Sequence, residues 1–187
     1  VLCIDGTKGQ SLWERQFWAT GRTMCHEKTS VAAPTPCTDG VRIYALFSSN
    51  DLVCLDFDGN LIWLRGITAD YPNVSNSLGM ASSLVVTDGV VVAQVENDSE
   101  SYAIGIDAVT GKNIWKIERE KSANWTSPLV LSPGLVGLQS KSGIDAVDTA
   151  DGHFLWKYDG GASTIPSSCR KGNVLFVPSK GLTALAY

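Results

Sequence analysis

Apolar residues in this chain fall in short runs rich in Val, Ile and Leu, mostly closed by Gly, Pro, Asp or Asn. No long stretch keeps the 3.6-residue apolar period of an amphipathic helix. Short apolar runs bounded by turn formers predict strands and tight turns, with little helix. Strands are expected over residues 1–5, 12–17, 41–47, 90–95, 102–107, 113–117, 135–139, 143–148, 154–158 and 174–177, and again over 181–187. Two longer connections, 18–30 and 66–79, fit neither period and are expected as loops.

One motif recurs through this pattern. Asp107-Ala-Val-Thr-Gly-Lys-Asn-Ile-Trp115 is repeated as Asp5-Gly-Thr-Lys-Gly-Gln-Ser-Leu-Trp13, Asp56-Phe-Asp-Gly-Asn-Leu-Ile-Trp63 and Asp148-Thr-Ala-Asp-Gly-His-Phe-Leu-Trp156. Each copy has a glycine four residues before the tryptophan (Gly9, Gly59, Gly111, Gly152) and an apolar residue directly before it. Such a segment reads as a hairpin: the Asp side chain accepts from turn N–H groups, glycine takes the positive-φ position, and the second strand presents an indole. An indole is too large an apolar surface for one hairpin to bury, so the copies must stack on one another. The tryptophans recur every roughly 40 to 50 residues, the period of propeller blades.

The expected fold is therefore an all-β propeller, or a segment of one, with four antiparallel strands per blade, lettered A to D from the axis outward. A partial blade is expected over 1–18, blades over 31–65, 80–118 and 126–158, and a second partial blade over 163–187. The leading C–D pair and the trailing A–B–C set overlap at strand C and do not complete one blade. A segment of a longer propeller is the expectation, with two half-rings closing by self-association and a four-bladed ring as alternatives.

The net charge of −4 and the scattered basic residues argue against a nucleic-acid partner, which needs a concentrated basic surface. No apolar run approaches the ~20 residues that cross a bilayer as a helix. Five cysteines without a CxxC spacing give neither a zinc motif nor a disulfide framework. Cys3 and Cys54 occupy matching repeat positions, as do Cys37 and Cys169, and all four are expected as small inward-facing core residues.

The Ala-x-Asp-x-x-Thr-Gly-x-x-x-Trp character of the copies, closest in Ile106-Asp-Ala-Val-Thr-Gly-Lys-Asn-Ile-Trp115, resembles the pyrroloquinoline-quinone-like propeller repeat. Quinoprotein alcohol dehydrogenases share that repeat with non-enzymatic relatives such as outer-membrane-assembly lipoprotein propellers. The resemblance implies that Trp13, Trp63, Trp115 and Trp156 dock neighbouring blades. The enzymes also carry a vicinal cysteine pair and a calcium-binding Glu, Asn and Asp set; no two cysteines here are adjacent, and no matching set can be placed. The resemblance thus implies a non-catalytic binding or scaffolding module without cofactor or metal, exported to the periplasm or secreted. The alternative is a dehydrogenase using the quinone with calcium, its cofactor residues lying outside this segment.

The long loops of a propeller share one face, and function concentrates in such loops. Trp18, Arg22, His26, Tyr71, Asn73, Asn76, Asn124 and Trp125 gather there and are the candidate face for a protein or glycan partner. Trp18 and Trp125 could instead cap the blade core. Cys25-His26 lacks the third, orienting group of a nucleophilic site and is expected as solvated loop. Glu96-Asn-Asp-Ser-Glu100 is expected as a solvated acidic hairpin tip rather than a calcium loop.

Overall fold

Each repeated motif folds as a hairpin whose opening carboxylate organises the turn. Asp5 Oδ1 accepts from the backbone N–H of Thr7 and Lys8 at 2.8 and 3.0 Å, and Asp107 Oδ1 from those of Val109 and Thr110 at 3.1 and 2.7 Å. Asp56 and Asp148 do the same for Asp58 and Ala150. Gly9, Gly59, Gly111 and Gly152 all sit at positive φ, between 67° and 80°.

In the computed structural model, which describes residues 1–74 and 79–187, these hairpins are the outer halves of antiparallel sheets. A two-stranded sheet pairs β1 (Leu2–Ile4) with β2 (Ser11–Glu14). Three four-stranded sheets follow. The first holds β3 (Cys37–Thr38), β4 (Arg42–Leu46), β5 (Asp51–Asp56) and β6 (Leu61–Gly66) in chain order. After the single helical turn α1 (Ile67–Asp70) come β7 (Val85–Thr87), β8 (Val90–Val95), β9 (Tyr102–Asp107) and β10 (Asn113–Glu118). The third sheet is β11 (Leu129–Ser132), β12 (Leu135–Ser140), β13 (Gly143–Asp148) and β14 (Phe154–Tyr158). Strands β15 (Cys169–Lys171), β16 (Val174–Pro178) and β17 (Leu182–Ala186) close the series. The chain is an all-β propeller segment, and α1 is its only helix among the described residues.

The innermost strands β3, β7 and β11 lie side by side, and a hydroxyl ladder joins the residues that enter them. Thr35 N–H donates to Ser83 Oγ, Ser83 N–H to Ser127 Oγ, and Ser127 N–H to Ser167 Oγ, each at 2.9 Å. Every donor and acceptor stands two residues before an A strand, so one hydroxyl per blade satisfies a backbone group that the sheet cannot reach.

Apolar clusters fill the seams between sheets. Tyr44, Leu46, Leu52 and Cys54 pack against Val91, Ala93, Tyr102, Ile104 and Ile106. Val92, Ala103 and Trp115 pack against Val136, Leu138 and Val147, and Leu131, Ile144 and Ala146 against Leu175 and Val177. The indoles bind each seam to the next hairpin. Trp13 Nε1 donates to Phe57 O at 2.9 Å, Trp63 Nε1 to Ala108 O at 3.2 Å and Trp115 Nε1 to Thr149 O at 2.7 Å. Each acceptor is the residue after the turn-opening Asp of the following blade. A Cβ on Gly59, Gly111 or Gly152 would lie 2.7 to 2.9 Å from the ring of the preceding tryptophan, so glycine is also what lets the indole lie on the turn. Arg15 and Arg65, two residues beyond their tryptophans, donate to the Gly59 and Gly111 carbonyls at 2.6 and 2.8 Å. Trp156 packs instead on Tyr187, ring centroids 5.9 Å apart.

Opposite each tryptophan on the adjacent strand stands a small residue: Cys3, Cys54, Gly105 and Ala146. Glycine permits the closest approach, and Trp115 is the one fully buried indole, at 7% exposure. A Cβ at Gly105 would sit 2.2 Å from Trp115 Cε2. Gly105→Ala should therefore lift Trp115 off its strand and cost about 1–3 kcal/mol in a urea titration. An unchanged midpoint would mean the seam has slack that the geometry does not show.

Four expectations change. Strand β2 ends at Glu14 rather than continuing to residue 17, and α1 occupies part of the expected loop 66–79. Cys54 is buried, and Cys37 and Cys54 thiols are pushed up to about 12 and about 11 by burial, as befits unreactive core residues. Cys169 is exposed, because the β15–β17 sheet has a neighbouring sheet on one side only. Residues 96–101 are not a solvated acidic tip: Glu96, Asn97 and Ser101 are buried beneath the following loop, where Arg119 and Asn124 supply partners for the Glu96 carboxylate.

Candidate functional site

In an antiparallel meander the A–B and C–D turns fall on one face and the B–C and D–A connections on the other. The second face carries the long loops. Residues 18–30 are clamped onto it at two close approaches: a Cβ at Gly21 would lie 2.2 Å from Ser49 O, and one at Gly79 2.2 Å from Met24 O. Asp51, buried at the start of β5, accepts from Thr20 N–H and Ser49 Oγ at 2.9 and 2.6 Å and from the Thr20 hydroxyl, fixing the loop's entry.

The sequence-selected residues divide into two groups on this face. Trp18 is 96% exposed, beside a groove of about 470 Å³ whose walls include Phe17, Val31 and Phe47. Arg22 is exposed at the mouth of a smaller cavity. Asn73 is exposed, with its N–H donating to Glu100 Oε2 at 3.2 Å. His26 is half-buried in its own turn, with Nδ1 accepting from Lys28 N–H at 3.1 Å, and Cys25 beside it is a free, half-buried thiol. Asn76 lies outside the described residues.

The other three are built into the scaffold. Tyr71 packs on Tyr102 at 4.5 Å between ring centroids, with Lys116 Nζ 4.6 Å from its own ring, in the seam between two blades. Trp125 donates from Nε1 to Gly79 O at 3.2 Å and so ties two D–A loops together. Asn124 is buried: its Nδ2 donates to Glu96 Oε2 at 2.7 Å and to Gln139 O at 2.6 Å, while Oδ1 accepts from the Thr126 N–H and hydroxyl at 3.1 and 2.8 Å. Tyr71, Asn124 and Trp125 thus brace a platform of loops on which Trp18, Arg22 and Asn73 stand exposed.

Beneath the platform lies a polar core absent from the sequence reading. Arg119 Nε donates to Glu96 Oε1 at 2.6 Å and Nη1 to Asp145 Oδ2, so the residue just past the D strand of one blade joins that blade's B–C tip to the C strand of the next. Burial pushes the Glu96 carboxyl above its ordinary range, with Arg119 pulling the other way but not far enough. Gln94 and Gln139 hold equivalent B-strand positions: Gln94 Nε2 donates to Gln139 O at 2.6 Å, and Gln139 Nε2 to Ser163 O at 2.6 Å. The equal placing of these glutamines and of Ser83, Ser127 and Ser167 was a signal open to a closer repeat alignment. The ion triad had no such signal, since its members recur in no other blade.

Among the described residues no group of His, Cys, Asp or Glu is arranged to hold a metal ion, and no helix is long and apolar enough to cross a membrane.

Comparison with known proteins gives the same fold. The chain is 24% identical over 157 residues to the outer membrane protein assembly factor BamB of Yersinia pestis, covering 83% of this chain and 36% of that protein. It superimposes on the crystal structure of BamB from Moraxella catarrhalis with a TM-score of 0.71 and 14% identity, covering 98% of this chain and 50% of that one. The quinohemoprotein alcohol dehydrogenase of Comamonas testosteroni gives a TM-score of 0.68 at 16% identity over 98% of this chain and 38% of the enzyme, a likeness of fold. The chain therefore spans half or less of the length of these relatives. The family model described as outer membrane protein assembly factor BamB matches residues 1–173, and the chain belongs to that family of PQQ-like propellers.

Proposed function

We propose that this propeller segment is part of a non-catalytic scaffold that holds a protein partner on its long-loop face, outside the cytoplasm. The observation that carries the reading is the platform itself: an almost fully exposed Trp18 and an exposed Arg22 among loops that close packing at Gly21 and Gly79 and the hydrogen bonds of Trp125 and Asn124 brace. Exposed Trp and Arg on a preorganised surface are the residue types that dominate protein interfaces. Membership of a family described as an assembly factor favours a protein as the partner class.

The cavity beside Arg22, of about 50 Å³, is too small for a tricyclic quinone, and no two of the five cysteines are adjacent.

A photoreactive residue at position 18 of the full-length protein, in its native envelope, should crosslink to another polypeptide. The same probe at Val109, exposed on the opposite face, should not. Trp18→Ala should abolish function while moving the unfolding free energy by no more than ~0.5 kcal/mol. Equal crosslinking from both positions would end the assignment of this face.

A further inference from the structure

Two polar side chains under the platform are buried and unpartnered. Ser48 and Asn50, in the tight B–C turn between β4 and β5, are each 4% exposed, and neither Ser48 Oγ nor Asn50 Oδ1 has a hydrogen-bond partner among the described residues. A buried polar group left unsatisfied is costly, so their persistence calls for a reason. Both line one cavity of about 50 Å³, together with Arg22, Met24, Thr68, Val74, Gly79 and Met80. The room suffices for a few water-sized atoms and for nothing as large as a ring system.

The lining is donor-rich. The Ser48 and Thr68 hydroxyls can donate; the Asn50 carboxamide presents its accepting Oδ1 and, with neither amide atom bonded among the described residues, can turn about χ2 to present Nδ2 instead, and the Arg22 guanidinium makes no ion pair or hydrogen bond among the described residues. The nearby Asp51 is the one carboxylate of this turn, and its oxygens are already engaged by Thr20 and Ser49. Gly21 holds the loop against Ser49 and Thr68, which keeps Arg22 at the cavity mouth without further ordering. A planar, two-oxygen anion answers each of these features: it is small enough for the cavity, it accepts from several donors at once, and it pairs with a guanidinium in fork geometry. A cation would face Arg22.

We infer that the Arg22–Ser48–Asn50–Thr68 cavity is a recognition site for a single carboxylate, carried by an acidic side chain or C-terminus of the polypeptide that docks on the loop face. The inference rests on the reading of that face as a protein-binding surface and names the chemistry it selects. The apolar part of the lining, Met24, Val74 and Met80, suits the aliphatic stem that carries the carboxylate.

Sodium acetate is the probe, titrated into the ¹⁵N-labelled protein against sodium chloride at equal ionic strength. Saturable shifts of the Asn50 side-chain amide and the Arg22 Nε–H resonance are expected with acetate and not with chloride. Arg22→Gln, a surface change, should weaken the acetate response about tenfold or more, and Ser48→Ala should weaken it while filling no space. Linear shifts common to both salts, or an unchanged response in Arg22→Gln, would overturn the site. The photocrosslink at position 18 separates the two ideas: a retained crosslink with no acetate site removes this inference alone, whereas acetate binding without a crosslink keeps the site and removes the protein-binding reading of the face.

Discussion

Trp115→Ala should cost about 3–5 kcal/mol of unfolding free energy, the largest effect of any tryptophan in the chain. The indole is the only repeat tryptophan that is fully buried, it lies directly on Gly105 of its own sheet and Gly152 of the next, and its Nε1 satisfies Thr149 O. Truncation would open a ring-sized void between two sheets and leave that carbonyl without its donor, so the transfer and cavity costs add. Trp13→Ala removes a half-buried ring at a two-stranded sheet and should cost clearly less. Urea titrations of both variants at equal slope would show the order. Equal losses at the two positions, or a loss below about 1 kcal/mol for Trp115, would mean that the seams are held by the aliphatic clusters alone.

A loss of similar size is expected for Arg119→Met at neutral pH, for an electrostatic reason. Arg119 is buried between Glu96 and Asp145, and the remaining lysine near them, Lys157, reaches Asp145 only at 3.8 Å. Removing the guanidinium leaves the buried Glu96 carboxylate uncompensated, a change that typically costs about 3–5 kcal/mol. The pH dependence follows from the raised Glu96 carboxyl, whose folded state binds its proton more readily than the unfolded chain does. Its contribution to stability is therefore fully present below the ordinary value of 4.5 and is lost as pH rises through the raised folded value. Without Arg119 that folded value moves higher still, so the variant should approach the parent's stability in acid and fall away towards neutrality. Glu96→Gln in the Arg119→Met background should recover part of the neutral-pH loss. A deficit that stays constant across the acid range would show that Arg119 contributes by packing its stem, not by its charge.

The seam and the triad differ in how they can be read from residue order. The hairpin turns are local: an Asp, a Gly four residues before a Trp, and the N–H groups between them lie within nine positions, so the same chemistry is visible each time it recurs. The hydroxyl ladder through Ser83, Ser127 and Ser167 is equally periodic and could have been found by the same comparison. The long loops are not periodic. Asn124 and Trp18 look alike in sequence, each a polar or aromatic residue on a non-repeating connection, yet one is buried against Glu96 and Gln139 while the other stands in solvent.

Residue order thus determined the blades, their hairpins and the four indoles that repeat with them, because interactions that close within a single turn need no knowledge of what lies across the seam. Only the packed structure decided which loop side chains brace the platform and which face water, and that Glu96, Arg119 and Asp145 meet. Those contacts join residues 23 to 26 positions apart, in different parts of two blades, and burial then raises the Glu96 carboxyl. Distance in space, and the desolvation that comes with it, is created by the stacking of sheets and is written in no single blade.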